Sequence, residues 1–147
     1  MNIKKILVPV DDSSFSLKTA QAACQLAQTL QASICMLHVV DPAILAIGAE
    51  TVVYPITEAG AMIEGGNKLI ADINEKLDSP VKIESHVIEG VPSEIIVSKA
   101  KEWQCDLIIM GTHGRTGLSH LIMGSVAENV VRHASIPVLI IPGKTKS

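Results

Sequence analysis

Short aliphatic runs recur along this chain, separated by stretches whose apolar residues repeat at helical spacing, and this alternation constrains the fold most. Ile6-Leu7-Val8, Ile34-Cys35-Met36-Leu37, Leu107-Ile108-Ile109-Met110 and Val138-Leu139-Ile140-Ile141 are continuously apolar, not alternating. Continuous runs of this length belong to strands covered on both faces. Strands that alternate with helices build a parallel sheet with helices on both sides. The expected class is therefore α/β, a single open parallel five-stranded sheet. Phe, Tyr and Trp number only one each, so the core must be aliphatic.

Local signals place the elements. Ile3 to Val10 reads as the first strand, and Asp11-Asp12-Ser13-Ser14 as a turn that caps a helix from Phe15 to Leu30. Leu17, Ala20, Cys24, Ala27 and Leu30 fall on one face of that helix. Ser33 to Val40 forms the second strand, ended by Asp41-Pro42. Pro42 to Thr57 reads as an ordered, variable loop, and Glu58 to Leu77 as a helix weakened at Gly65-Gly66 by ~1 kcal/mol per glycine. The third strand spans Val81 to Ile88, and Pro92 opens a helix that runs to about Trp103. Asp106 to Met110 is the fourth strand, Ser125 to His133 the last helix, and Pro137 to Ile141 the fifth strand. The polar tail from Gly143 to Ser147 is expected to fray.

The 147 residues fit one domain, 1–147, large enough to hold a core without disulfides or a structural metal. A net charge of −3, with no long Lys/Arg run, argues against a nucleic-acid surface. Cys24, Cys35 and Cys105 lack metal spacing and read as small buried hydrophobes, which suits a reducing, cytoplasmic compartment. Lys4-Lys5 followed by Ile6 to Val10 is too short for an export signal, because Asp11-Asp12 ends it. Nothing approaches the ~20 apolar residues of a membrane span.

In an open α/β sheet, ligands bind beyond the carboxyl ends of the strands, where the strand order reverses. The loops to inspect follow strands one, two and four, and they face one another if strands one and four are neighbours: Pro9, Val10 and Asp11 after strand one, Val39 to Asp41 after strand two, and Met110 with the loop Gly111-Thr112-His113-Gly114-Arg115-Thr116-Gly117 after strand four. The loop leads to a helix that opens at Gly124-Ser125-Val126. Bare glycines and the amides of a helix N-terminus suit a phosphate, and Val39 and Met110 offer an apolar wall for a base. Asp11 would accept hydrogen bonds from ribose or base. Glycines also cluster in any tight loop, so spacing alone leaves both a structural turn and a phosphate cradle open. Neither Gly-x4-Gly-Lys-Ser/Thr nor Gly-x-Gly-x2-Gly is present.

Gly111-x2-Gly114-x9-Gly124-Ser125, preceded by Asp106 to Met110 and followed by Val126 to Val131 and Ile136 to Ile141, resembles the nucleotide-binding motif of the universal stress protein family. Ile6 to Asp11 with Ser13, and Leu37 to Asp41, are similar to that family as well, so the resemblance covers essentially the whole chain. It implies a Rossmann-like sheet in order 3-2-1-4-5 and membership of the ATP-binding branch. It further implies that Asp11 contacts the adenosine portion, that Pro9, Val39 and Met110 line the base pocket with Val10 as a further cofactor contact, and that Gly111, Gly114, Gly124, Ser125 and Val126 hold ribose and phosphates. His113, Arg115, Thr116 and Gly117 become contacts of second rank. The implied ligand is ATP, with AMP or ADP as alternatives and Mg²⁺ alongside, and the implied assembly is a homodimer through the final strand. Asp12 stands where many members have glycine, and reads as a cap of the first helix or as extra negative charge at the pocket mouth.

Catalytic readings are weaker. His113 has no orienting carboxylate near it in sequence, and Ser119, His120 and Asp11 make a triad only without a nucleophile elbow. His38 reads as a packed or hydrogen-bonded strand residue, and His86, His120 and His133 lack metal-ligand spacing. The expected function is a stress-responsive regulatory module that binds ATP and is not primarily an enzyme. The alternative is a slow ATPase or phosphotransferase, disfavoured by the missing phosphate-loop lysine and water-activating base. An electron-transfer flavoprotein-like domain shares the architecture but fits the glycine-serine motif less well.

Overall fold

The computed structural model describes residues 1–43, 56–112 and 123–143. Among these, the strands are β1 (Lys5–Pro9), β2 (Ser33–Val40), β3 (Ile83–Glu89), β4 (Leu107–Gly111) and β5 (Val138–Ile141). The helices are α1 (Ser16–Leu30), α2 (Ile56–Leu77), α3 (Pro92–Glu102) and α4 (Ser125–His133). Every strand pair is parallel and the order is β3-β2-β1-β4-β5, as expected. Most of the expected loop between Pro42 and Thr57 lies outside the described residues, as does the tail beyond Gly143; α2 is already under way at Ile56.

The aliphatic runs are continuous because both faces of the sheet are covered. Ile6 and Val8 point to one face, against Ala20, Ala23 and Ala27 of α1 and Ile70 and Ile73 of α2. Leu7 points to the other, with Cys35, Leu37, Ile108 and Met110 against Ile96 and Ala100 of α3 and Ala127 and Val130 of α4. Ile6, Leu7, Met36, Ile108 and Ile109 are fully buried, each contributing about 1.5–3 kcal/mol of apolar transfer. Alanines along the inner face of α1 let that helix lie close to the strands.

Two boundaries shift for identifiable reasons. β4 starts at Leu107 because Asp106 Oδ2 accepts the amides of Lys4 and Lys5 at 2.8 and 2.9 Å, stitching the β1 and β4 entries together by side chain. The expected polar cap of α1 is not made: Phe15 is the N-cap residue, without a side-chain cap hydrogen bond. Asp11 Oδ1 instead accepts the Ser13 amide and the Ser16 hydroxyl, both at 2.9 Å, which folds the turn back on itself.

The glycine pair in α2 has a packing reason. A Cβ on Gly66 would lie 2.8 Å from His38 Cδ2 and 2.9 Å from Val87 Cγ1, whereas one on Gly65 would meet nothing within 4 Å. Gly66 is thus a point where the α2 backbone lies close against the side chains of β2 and β3.

Candidate functional site

The chain runs from β1 outward to β2 and β3, then returns across β1 to β4 and β5, so the order reverses between β1 and β4. The register of β1 with β4 ends at Leu7 opposite Ile108, and that with β2 ends at Pro9 opposite Leu37. Beyond these rungs β1 no longer pairs with either neighbour, and a crevice opens at the carboxyl ends of the strands. Its volume is about 550 Å³. A smaller hollow of about 230 Å³ lies at the opposite end of the strands, beside Lys5 and Trp103, where the Lys5 ammonium is already bonded to the Trp103 carbonyl.

Pro9, Val10, Asp11, Val39, Met110, Gly111, Gly124, Ser125 and Val126, all singled out from sequence, come together in this crevice. His113, Gly114, Arg115, Thr116 and Gly117 lie outside the described residues, as do Ser119 and His120. Thr112, Pro92 and Ile96, with Ala127 beside Val126, complete the wall, and Met62 and Leu69 reach it from α2. Ala127 was open to prediction, since the first amides of any helix lack intrahelical partners. The contribution of Pro92 and Ile96 depends on how α3 packs and left no local signal.

At the phosphate-like end, Gly124 is the N-cap of α4 with no side-chain cap bond, and the first intrahelical bond runs from the Glu128 amide to the Gly124 carbonyl at 3.0 Å. The amides of Ser125, Val126 and Ala127 therefore have no partner among the described residues. They form a bare helix N-terminus with partial positive charge, favourable to an anion by about 0.3–1 kcal/mol when exposed. The Gly124 amide is committed elsewhere, to the Thr112 carbonyl at 2.8 Å. Its φ of −60° and ψ of 158° suit any residue, so what glycine offers here is a bare Cα and not an unusual backbone.

Two strands away, Val39 presents a different group. Odd-numbered residues of β2 face β1, as in the bond from the Val10 amide to the Leu37 carbonyl at 2.8 Å, while even ones face β3, as in the bond from the Gly90 amide to the Val40 carbonyl at 2.9 Å. Since β1 pairing has ended at Leu37, the β1-facing N–H and C=O of Val39 lie past the last rung, at the crevice. This is a donor and an acceptor side by side on one rigid strand.

Asp11 sits between these two ends, at the tip of β1. Its Oδ1 is held by Ser13 and Ser16, and its own amide donates to Ser16 Oγ at 2.8 Å. His38 also lines the crevice; its Nδ1 lies 2.9 Å from the Val10 carbonyl, so that nitrogen carries the proton. This agrees with the strand-bonded role expected of it. Ser13 Oγ is closed to solvent and has no hydrogen-bond partner among the described residues. Asp11, Asp12 and Asp41 line the crevice and, among the described lining residues, no lysine or arginine does. Among the described residues, an anion would meet backbone amides and a divalent cation would meet carboxylates. No cluster of three or more metal-ligating side chains occurs among the described residues.

The model of the universal stress protein family matches residues 2–142. The chain belongs to the universal stress protein family. Universal stress protein MJ0531 of Methanocaldococcus jannaschii is 36% identical over 140 residues, covering 94% of this chain and 81% of the relative. Universal stress protein MJ0577 of the same organism is 32% identical over 161 residues, covering 96% of each. The solved structure of MJ0577 superposes with a TM-score of 0.80 at 28% identity and full coverage of both chains. A universal stress protein solved in complex with cAMP shares the fold at a TM-score of 0.65 and 23% identity, over 98% of this chain and all of that one. Within the family architecture, no described helix is long and apolar enough to cross a membrane.

Proposed function

We propose that this universal stress protein is a single-domain regulatory module that binds an adenine nucleotide, ATP foremost, and retains it. The observation that carries this reading is the trio of open amides at Ser125, Val126 and Ala127, set across one crevice from the free donor-acceptor edge of Val39. The strand order puts β1 between β2 and β4, so the two ends are about two strand spacings apart, ~10 Å. Phosphates belong at α4 and Gly111, and the base at Val39. An amide N–H beside a C=O matches the N1 acceptor and N6 donor of adenine, and opposes the reversed pattern of guanine. Pro9 and Met110 supply the apolar walls.

Retention follows from what the crevice offers. Among the described lining residues no lysine or arginine stands ready to offset charge that develops on a phosphate in transfer, which favours holding the nucleotide over turning it over. Charge on a polyphosphate would be balanced by amides and by Mg²⁺ near Asp12, with His113, Gly114, Arg115 and Gly117 as further contacts. A cytoplasmic location and a homodimer through β5 complete the proposal.

The test is extraction of nucleotide from freshly purified protein, identified by mass spectrometry, followed by incubation with ATP and Mg²⁺. Intact ATP near one per chain is the expected result. Absence of any bound or bindable nucleotide overturns the site, and sustained phosphate release overturns retention in favour of turnover.

A further inference from the structure

Ser16 is 6% exposed at the first position of α1 and lines the same crevice. Its hydroxyl accepts the Asp11 amide at 2.8 Å and donates to Asp11 Oδ1 at 2.9 Å. A serine hydroxyl has one proton, so this reciprocal pair uses it on Asp11 alone. The Ser13 amide adds a second donor to the same oxygen at 2.9 Å. Asp11 Oδ1 is thus turned toward the protein, and Oδ2 has no partner among the described residues although Asp11 lines the crevice.

We propose that Ser16 is a positioning residue that aims Asp11 Oδ2 at the sugar hydroxyls of a bound nucleotide, making the site selective for nucleotides that carry them. The inference rests on the nucleotide reading above. A carboxylate only accepts hydrogen bonds, and a nucleotide's donors are the exocyclic amine and the sugar hydroxyls. The amine has its acceptor at the Val39 carbonyl on β2, and the phosphates have theirs at α4 beyond β4. β1 lies between those strands, so the acceptor at its tip faces the middle of the ligand, which is the sugar. Without the Ser16 hydroxyl, the Asp11 side chain loses the partner that selects its rotamer, and Oδ2 is no longer held toward the crevice.

The experiment is isothermal titration calorimetry of the full chain with Mg²⁺ and either ATP or 2′,3′-dideoxy-ATP, which lacks both hydroxyls. The wild type is expected to prefer ATP by about tenfold or more, the loss typical of a hydrogen bond to a charged acceptor. Asp11→Asn and Ser16→Ala should each bring the ratio to within about threefold of one, and Ser16→Thr, which keeps the hydroxyl, should restore the preference. If Ser16→Ala does not fold, Ser16→Cys, similar in size and a poor hydrogen-bonder, is read in its place with the same expectation. A Ser16 variant that weakens both ligands by the same factor has only a structural role and overturns the proposal, as does a wild type that binds both equally. A wild type that binds neither overturns the nucleotide reading itself, so the two failures are distinct.

Discussion

The amide of Gly124 donates to the carbonyl oxygen of Thr112 at 2.8 Å, joining the start of α4 to the end of β4. The chain therefore leaves the sheet and re-enters the helix at one point. Thr112 is itself tied to the last strand, its amide donating to the Ile141 carbonyl at 3.3 Å and its hydroxyl accepting from the Gly143 amide at 3.4 Å. The helix N-terminus is fixed by strand geometry on two sides, which is what a preformed anion site requires.

Replacing Gly124 separates the ligand from the scaffold. Its backbone angles are open to any residue and its amide bond to Thr112 survives substitution, so Gly124→Val should cost less than about 1 kcal/mol of stability. The added branch would occupy the space before the Ser125 amide, and ATP affinity should fall at least tenfold. Calorimetric titration beside a thermal melt checks both halves; a parallel loss of fold would show that the glycine serves the backbone.

The α2 glycines should respond with opposite signs. Gly66→Ala pushes a methyl into His38 Cδ2 and Val87 Cγ1 at under 3 Å, and overpacking of this kind costs about 1–3 kcal/mol. Gly65→Ala meets nothing and should gain about 0.5–1 kcal/mol from helix propensity. Urea unfolding of the two variants measures the difference, and equal effects would mean that α2 does not rest on β2 and β3 at Gly66.

The same contrast shows what a one-dimensional reading holds. The strands were legible because burial on both faces writes itself as unbroken aliphatic runs, and Pro92 marked the start of α3. The strand order followed from the family resemblance, since nothing in the residues themselves says that β4 returns to lie beside β1. Both glycines of α2 read as equal weaknesses, because only the packing tells Gly66 from Gly65. At the crevice, Gly111, Gly124 and Asp11 were legible as types of residue in the right places. That the Gly124 amide is already used, and that Asp11 is turned by Ser16 and not used as a helix cap, depends on contacts no local pattern encodes.

The buried thiols give a pH dependence with a definite sign. Burial pushes Cys35 and Cys105 up from 9.0 to about 11, and the same cause raises Cys24. A thiol raised in the folded state contributes stability that is full below the unfolded value and is lost as pH rises through the folded one. Unfolding free energy should therefore decline between about pH 9 and about pH 11. Cys35→Ala should flatten part of that decline. Ellman's reagent at pH 8 should find no reactive thiol in the native protein and three after denaturation. Rapid reaction of the native protein would contradict the burial.

β5 is the edge of the sheet next to β4, and its side chains divide unequally. Val138 and Ile140 pack with Ile136 against the α3 and α4 side, whereas Leu139 on the opposite face is 41% exposed. An edge strand with a free hydrogen-bonding rim and an exposed leucine is a hazard in a monomer unless something covers it. A second copy pairing through Val138 to Ile141 would cover both features. Leu139→Glu places two like charges at such a contact and should convert a dimer to monomers. The change of an exposed side chain should alter the stability of each chain by no more than about 0.5 kcal/mol. Sedimentation of wild type and variant at matched concentrations measures this. A wild type that sediments as a monomer, or a variant that remains a dimer, rules out assembly through this edge.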